Sequence, residues 1–307
     1  MTRKALLGRV SDVDIRLLRV FRAVVACGGV SAAELELNIG RSTISRHLTD
    51  LETRLGVKLC DRGPAGFALT VEGQQIFEAS THLVSALHTF EASVHEVHQR
   101  LSGRLAIALF DKMVSNPAAK ISETIEEFDR IAPEVIIEIH KDPVNVIESG
   151  LLSGRFDLAI TPTHRQSGSM DYFPLYSEQM YLYCGHHHPL FGRGDAEVTA
   201  VDVGRCKYAG IGFHSLNMIV SHNLHLTRHA DVYDEEAMAA LILSGRYLGF
   251  LPDHYAEPFV QTREMWRLRP DIYHYQSDHA AILRRSPRPS RLVKEFLGCL
   301  QRAHGTA

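Results

Sequence analysis

A chain of 307 residues has room for two or three domains and a substantial core. Its 45% hydrophobic and 22% charged composition is that of an ordinary globular protein. It contains no run of 18 apolar residues that could span a membrane, and no early apolar stretch of the kind a secretory signal needs. Five cysteines, odd in number and with no CxxC pair, favour reduced thiols in the cytoplasm over a disulfide framework. Charge is unevenly placed. Residues 1–70 carry 11 Lys/Arg against 7 Asp/Glu, and the rest 22 against 29, so a head of net +4 precedes a body of net −7. That division suits one part that touches phosphates and another that does not.

In chain order, Ile15, Leu18 and Phe21, with Leu17, Val24 and Val25 beside them, make the apolar side of a first helix ending at Cys27-Gly28-Gly29. Ser31 can cap a second helix carrying Ala32, Ala33, Leu35 and Leu37, and Asn38-Ile39-Gly40 reads as a tight turn. Next, Ile44, Leu48, Leu51 and Leu55 recur at spacings of four, three and four, one stripe of a third helix. Ser42, Arg46, Thr49 and Thr53 point the opposite way, with Thr43, Ser45 and Asp50 on their flanks. This outward face is short, polar and basic, and such side chains can enter a major groove and reach base edges. Leu59 to Arg62, Gly63-Pro64-Ala65-Gly66 and Phe67 to Leu69 read as strand, turn and strand, a wing in which Arg62 stands where a wing meets phosphate.

After Thr70, the expected N-cap, a helix runs to Leu101, roughly 48 Å. Ile76, Leu83, Leu87, Phe90, Val94, Val97 and Leu101 follow a coiled-coil seam that only Ser80 interrupts. A narrow apolar stripe on so long a helix calls for an identical partner, and two copies would hold two recognition helices at the spacing a two-fold DNA site requires.

Beyond Leu101-Ser102-Gly103 the pattern alternates. Strands are expected at 104–110, 135–140 and 156–161, with helices at about 118–131 and from Asp142-Pro143 to Gly154. Such a succession builds a parallel sheet with ligand positions at the carboxyl ends of its strands. A second unit follows Pro162, with strands at 181–184, 208–211, 230–233 and 247–251 and a helix at 235–243. A strand at 280–284 and a helix at 290–300 look like a return to the first unit.

Residues 13–70 resemble the DNA-binding domain of the LysR-type transcriptional regulators. The matching residues are Leu17-Leu18-Arg19-Val20-Phe21, Ser31-Ala32-Ala33, Ser42-Thr43-Ile44-Ser45-Arg46, Leu51-Glu52, Leu55-Gly56-Val57-Lys58-Leu59, Leu69-Thr70 and Glu72-Gly73. A looser similarity continues through nearly the whole chain, including Phe156 to Ile160 and His188-Pro189-Leu190. The resemblance implies an α+β protein: a winged helix-turn-helix (13–70), a dimerising linker helix (71–101), then a two-lobed α/β effector domain like a periplasmic binding protein. Lobe I takes 104–162 and 270–304, and lobe II takes 163–269, joined by two crossover strands. Partners so implied are an operator in double-stranded DNA, a small-molecule effector and further copies of the chain, as a dimer or a dimer of dimers, in the cytoplasm.

The sequence departs from the family at Gly40-Arg41, where Ser-Gln is usual, so Arg41 replaces a glutamine that commonly contacts bases. Cys60 stands where Phe is usual, which should leave the wing loosely packed or repacked by Phe67. DNA contacts are expected from Arg41, Ser42, Thr43, Ser45, Arg46, Thr49, Asp50, Thr53 and Arg62. Family effectors are often small organic acids. The strand-end positions Lys112, Met113, Ser115, Val144, Thr161, Phe213, His214 and Ser215 are therefore expected to hold a carboxylate-bearing ligand, with Lys112 supplying charge.

Three other chemistries fare worse. The Cys184, His186, His187 and His188 cluster has metal-ligand residue types, but consecutive histidines point in different directions, so no metal or other cofactor is expected. No GxSxG, HExxH or phosphate-binding glycine loop supports an enzyme. A thiol sensor built on Cys206 and Cys184 stands as the alternative regulator, with structural cysteines favoured.

Overall fold

The computed structural model describes residues 8–63, 66–97, 101–163 and 165–306, so Pro64 and Ala65 of the expected wing turn lie outside the described residues. The chain divides into two compact units, Met1–Leu87 and His88–Ala307.

In the first unit, α1 (Asp12–Ala26), α2 (Ala33–Leu37) and α3 (Arg41–Leu55) precede a two-stranded antiparallel wing, β1 (Cys60–Gly63) and β2 (Gly66–Leu69). Then α4 (Val71–Val97) begins and runs past the unit boundary. The core is the one the apolar spacing calls for: Leu17, Phe21, Val24, Ile44, Leu48, Leu51 and Leu59 are buried together. Ser11 closes α1 with a capping box through Asp14, and Asn38 (φ +50°) and Gly56 (φ +72°) turn the chain out of α2 and α3 through the left-handed region. The expected cap at Ser31 does not form. The residue before α2 is Ala32, whose methyl cannot cap, and the Ala33 N–H donates to the Gly29 carbonyl across the turn. Cys60 is fully buried, and Phe67 packs against the same core, the repacking that the small thiol left room for.

Thr70 caps α4, donating to the Lys58 carbonyl (2.6 Å) and accepting from Gly73 N–H (2.9 Å). Gly73 is needed where α4 crosses the wing, since a Cβ there would fall 1.8 Å from the Leu59 carbonyl oxygen. Ile76 and Phe77 pack on the core of the first unit, Phe77 edge-on to Phe21. Ile76 is therefore engaged within its own chain, whereas Leu83 and Leu87 are half-buried and Phe90 and Val94 exposed. The Val97 side chain lies outside the described residues.

The second unit contains, in order, β3 (Ser102–Leu109), α5 (Ile121–Ile131), β4 (Glu134–Lys141), α6 (Val144–Ser153), β5 (Leu158–Pro162), β6 (Met170–Gly185), α7 (Ala200–Gly204) and β7 (Lys207–Ile211). It continues with α8 (Leu216–Asn223), β8 (Arg228–Val232), α9 (Glu235–Leu243), β9 (Tyr247–Pro252), α10 (Asp253–Gln261), β10 (Met265–Arg267), β11 (His274–Arg284) and α11 (Arg291–His304). Hydrogen-bonded strands run in the order β4-β3-β5-β11-β6-β9-β7-β8, with β10 also on β6. Strands β3, β4 and β5 are parallel, as are β7, β8 and β9. The long antiparallel pair β6 and β11 joins the two sets, since β11 also pairs with β5 and β6 with β9. These are the two crossover strands.

One lobe packs Leu105, Ile107, Phe128 and Phe296 under α5 and α11, and Ala108, Ile147 and Phe156 under α6. The other packs Leu182, Tyr208 and Phe250 on one face and Met238, Ile242 and Leu251 on the other. The start of α6 is shifted by one residue from the expected position. Pro143 (φ −61°) is the residue before the helix, while Asp142 pairs with Arg155 (3.4 Å) in place of capping. No described helix is long and apolar enough to cross a membrane.

Candidate DNA-binding face and effector cleft

In α3 the buried stripe Ile44, Leu48 and Leu51 fixes which residues face outward. Arg41, Ser42, Arg46, Thr49, Asp50 and Thr53 are exposed, and Thr43 and Ser45 half-buried at the margin. Thr49 and Thr53 donate their hydroxyls to the carbonyls of Ser45 (2.9 Å) and Thr49 (2.8 Å), one helical turn back. Arg62 behaves otherwise. Its guanidinium donates to Glu52 (2.5 Å) and to the Ser45 carbonyl (3.3 Å), tying the wing to α3. Glu52 also accepts from the Leu59 N–H (2.9 Å), so one buried carboxylate fastens both wing residues to the recognition helix. A second clamp joins α3 to α1. The Arg54 guanidinium, hydrogen-bonded to Asp14 (2.5 and 2.9 Å), holds the Asp14 carboxyl well below the usual carboxylate range.

Between the lobes of the second unit lies a narrow cavity of about 60 Å³. The first lobe contributes Phe110, Val144 and Pro162, and Thr163 follows directly at the boundary. The second contributes Ile211, Phe213, Ser215, Leu216, Asn217, Glu235 and Phe250, and the crossover strands add Glu178, Met180, Tyr275 and Ser277. Of the residues expected here, Val144, Phe213 and Ser215 line the cavity; Lys112, Met113, Ser115, Thr161 and His214 do not. Lys112 instead pairs with Glu236 (3.4 Å) and lies over the Tyr255 ring (4.6 Å). The Ser115 hydroxyl is shared with the Lys112 carbonyl and His254 Nδ1 (3.0 Å), Met113 belongs to the first lobe's core, and Thr161 is wholly buried.

Two carboxylates that the sequence reading did not single out do line it. Glu178 sits mid-strand on β6, bonded to Asn116 (3.2 Å) and His254 (3.1 Å) with His279 at 3.5 Å. Burial keeps the His279 ring below the usual histidine range. Glu235 opens α9, its N–H donating to Asp111 (2.9 Å) and its Oε2 buried without a hydrogen-bond partner. Burial, reinforced by the charges of Glu178 and Asp111, pushes the Glu235 carboxyl well above the usual range. The one signal that could have pointed to it is the acidic run Asp234-Glu235-Glu236, which follows a strand end directly.

All five cysteines are free thiols. Burial pushes Cys184 up to about 12 and raises Cys206 as well, the opposite of what a thiolate sensor needs. His188 is buried in the turn after β6, its Nδ1 accepting from the Leu190 N–H (3.2 Å), while His186 packs on Phe191.

Residues 15–74 match the family described as "Bacterial regulatory helix-turn-helix protein, lysR family", and residues 98–305 match the "LysR substrate binding domain". The chain belongs to the LysR family of transcriptional regulators. Within it, the chain is 38% identical to the "HTH-type transcriptional activator BauR" of Pseudomonas aeruginosa over 96% of this chain and 97% of that one. It is 26% identical to the SDS degradation transcriptional activation protein of a Pseudomonas species, over 64% of each. Among solved structures, its fold is similar to that of the LysR-family regulator CbnR (TM-score 0.65, 18% identity, 94% of this chain and 99% of that one). It is also similar to a full-length OxyR variant from Pseudomonas aeruginosa (TM-score 0.61, 16% identity, 96% of each). In LysR terms, the second unit is the effector-binding domain.

Proposed function

We propose that this LysR-family chain binds a specific operator through the outward face of α3, works as a dimer or dimer of dimers, and has its grip on DNA tuned by a small molecule held between its lobes. The observation that carries the DNA reading is the division of α3. Three large apolar residues anchor one side, and the other offers Ser42, Arg46, Thr49 and Thr53 with no long acidic side chain among them. Because Thr49 and Thr53 engage their hydroxyls within the helix, their methyl groups are what remain for bases, a contact suited to thymine. Arg41 and Arg46 supply longer reach, for guanine or phosphate, with Thr43, Ser45 and Asp50 beside them. Since Arg62 is bonded to Glu52, its contribution is to hold the wing, with phosphate contact secondary.

Pairing through α4 would use Leu83, Leu87, Phe90 and Val94, of which Phe90 and Val94 are exposed apolar side chains in the single chain. In this reading residues 13–70 are the DNA head, 71–101 the linker, and 104–162 with 270–304, and 163–269, the two lobes that close on the effector. A ligand shifts such an equilibrium only by its affinity difference between open and closed forms, so coupling is expected at about 1–3 kcal/mol. The test is operator affinity at fixed salt: Arg46→Ala should cost about 1–3 kcal/mol if Arg46 pairs a base bidentately. Unchanged affinity removes Arg46 from the interface.

A further inference from the structure

The cleft's chemistry is acidic and aromatic. Among the described lining residues two are carboxylates and none is Lys, Arg or His. Glu178 is held on both oxygens by Asn116, His254 and His279, so its place is fixed from behind. Glu235 is different. It is 4% exposed, and its Oε2 has no hydrogen-bond partner. The nearby cations are engaged elsewhere, Lys112 with Glu236 and Lys141 with Asp111 (3.1 Å). An unsatisfied buried carboxyl is costly to keep, and a ligand that completes it is one reason for a protein to retain it. Phe110, Phe213 and Tyr275 line the cavity, and aromatic rings attract cations over their faces. The Ser215 hydroxyl, also buried without a partner at the start of α8, offers a second polar contact.

We propose that the effector is a small organic cation, a molecule of few heavy atoms carrying an ammonium group, and that Glu235 is its counter-ion with Glu178 beside it. The inference rests on the cleft reading above and names the ligand class for that site. It differs from the expected carboxylate, whose charge partner Lys112 pairs with Glu236 and does not line the cavity. A narrow cavity of about 60 Å³ suits a small molecule. The charged groups facing Glu235 are Glu178, Asp111, Asp234 and Lys112, with His254 and His279 behind Glu178. The acids and burial favour its protonated form in the empty cleft, and Lys112 opposes them. An arriving ammonium favours the carboxylate, so the Glu235 proton leaves to solvent as the ion pair forms. Ammonium affinity therefore rises with pH, approaching tenfold per unit while Glu235 is protonated. A carboxylate ligand has the opposite sign, because it needs the proton to stay.

The test uses the full chain with size-matched probes, n-butylammonium chloride and sodium butyrate, in ligand-observed NMR and in calorimetry across pH 6–8. The expected result is butylammonium binding that tightens with pH, releases protons, and weakens at least tenfold in Glu235→Gln. Butyrate binding that is altered by Glu235→Gln and weakens with rising pH would overturn the ligand class and keep the cleft. If neither probe binds, or butylammonium binds Glu235→Gln as it binds wild type, the ammonium assignment is overturned. A Phe213→Trp variant, which fills the cleft, then judges the site itself. Loss of inducer response at the promoter in cells keeps the cleft reading, and a full response overturns that too.

Discussion

Replacing Glu52 tests whether one carboxylate fixes the wing to the recognition helix. Glu52 is 8% exposed and accepts from Leu59 N–H at 2.9 Å and from Arg62 at 2.5 Å, with Cys60 N–H more distant at 3.4 Å. Glu52→Ala strands a fully buried N–H at Leu59 and removes the charge partner of a half-buried arginine. Each hydrogen bond to a charged group contributes about 1.5–3 kcal/mol, and the partly exposed Arg62 belongs at the low end, so the loss should be about 3–4 kcal/mol. Glu52→Gln keeps an amide oxygen for Leu59 and loses only the charge, about 1–2 kcal/mol. The assay exploits the sole tryptophan, Trp266, which lies in β10 and reports the effector unit alone, whereas far-UV circular dichroism reports both units. In Glu52→Ala the helical transition of the DNA-binding unit should fall by more than about 10 °C while the Trp266 transition stays in place. A fall of less than about 4 °C would refute the argument, since that corresponds to under about 1 kcal/mol.

Gly73→Ala should also destabilise the DNA-binding unit selectively, because the new methyl meets the Leu59 carbonyl oxygen; an unshifted circular-dichroism transition would show that α4 can move off the wing freely. Glu235→Gln should stabilise the ligand-free effector unit, read by Trp266 in urea. The folded pKa of Glu235 is raised, so its stability penalty is absent below the unfolded pKa of about 4.5 and grows as pH rises toward the folded value. The gain should thus be larger at pH 8 than at pH 5, and equal gains would contradict the buried-acid reading. Phe90→Asp should convert dimers to monomers in sedimentation by placing an unpaired charge in the α4 seam, and intact dimers would move the interface elsewhere.

How much of this was readable in the sequence follows from how local each signal is. The α3 stripe and the bounds of α9 were legible because helix periodicity is written within one turn of its neighbours. Strand β6 runs 16 residues, yet only its Tyr181 to Cys184 end stood out. The earlier part passes between lobes with mixed burial and a proline, so no two-residue alternation marks it, and Glu178 was hidden there. Lys112 and Ser115 lie after a strand end as expected, but strand-end position does not fix direction. Lys112 adopts a left-handed backbone (φ +57°) and reaches Glu236, a partner 124 residues away that no local pattern announces. Glu235 likewise looked like an ordinary acid at a helix start, and its burial comes from tertiary packing alone.

The central claim, a DNA head answering to a ligand cleft, is tested most directly by footprinting the full chain on the promoter beside its own gene, with and without an inducer such as n-butylammonium chloride. Wild type should protect a two-fold site and change its protection when inducer is added. Arg46→Ala should lose the protection, and Phe213→Trp should keep it but no longer respond. Protection that survives Arg46→Ala unchanged and still responds to inducer in Phe213→Trp would contradict the account at both ends.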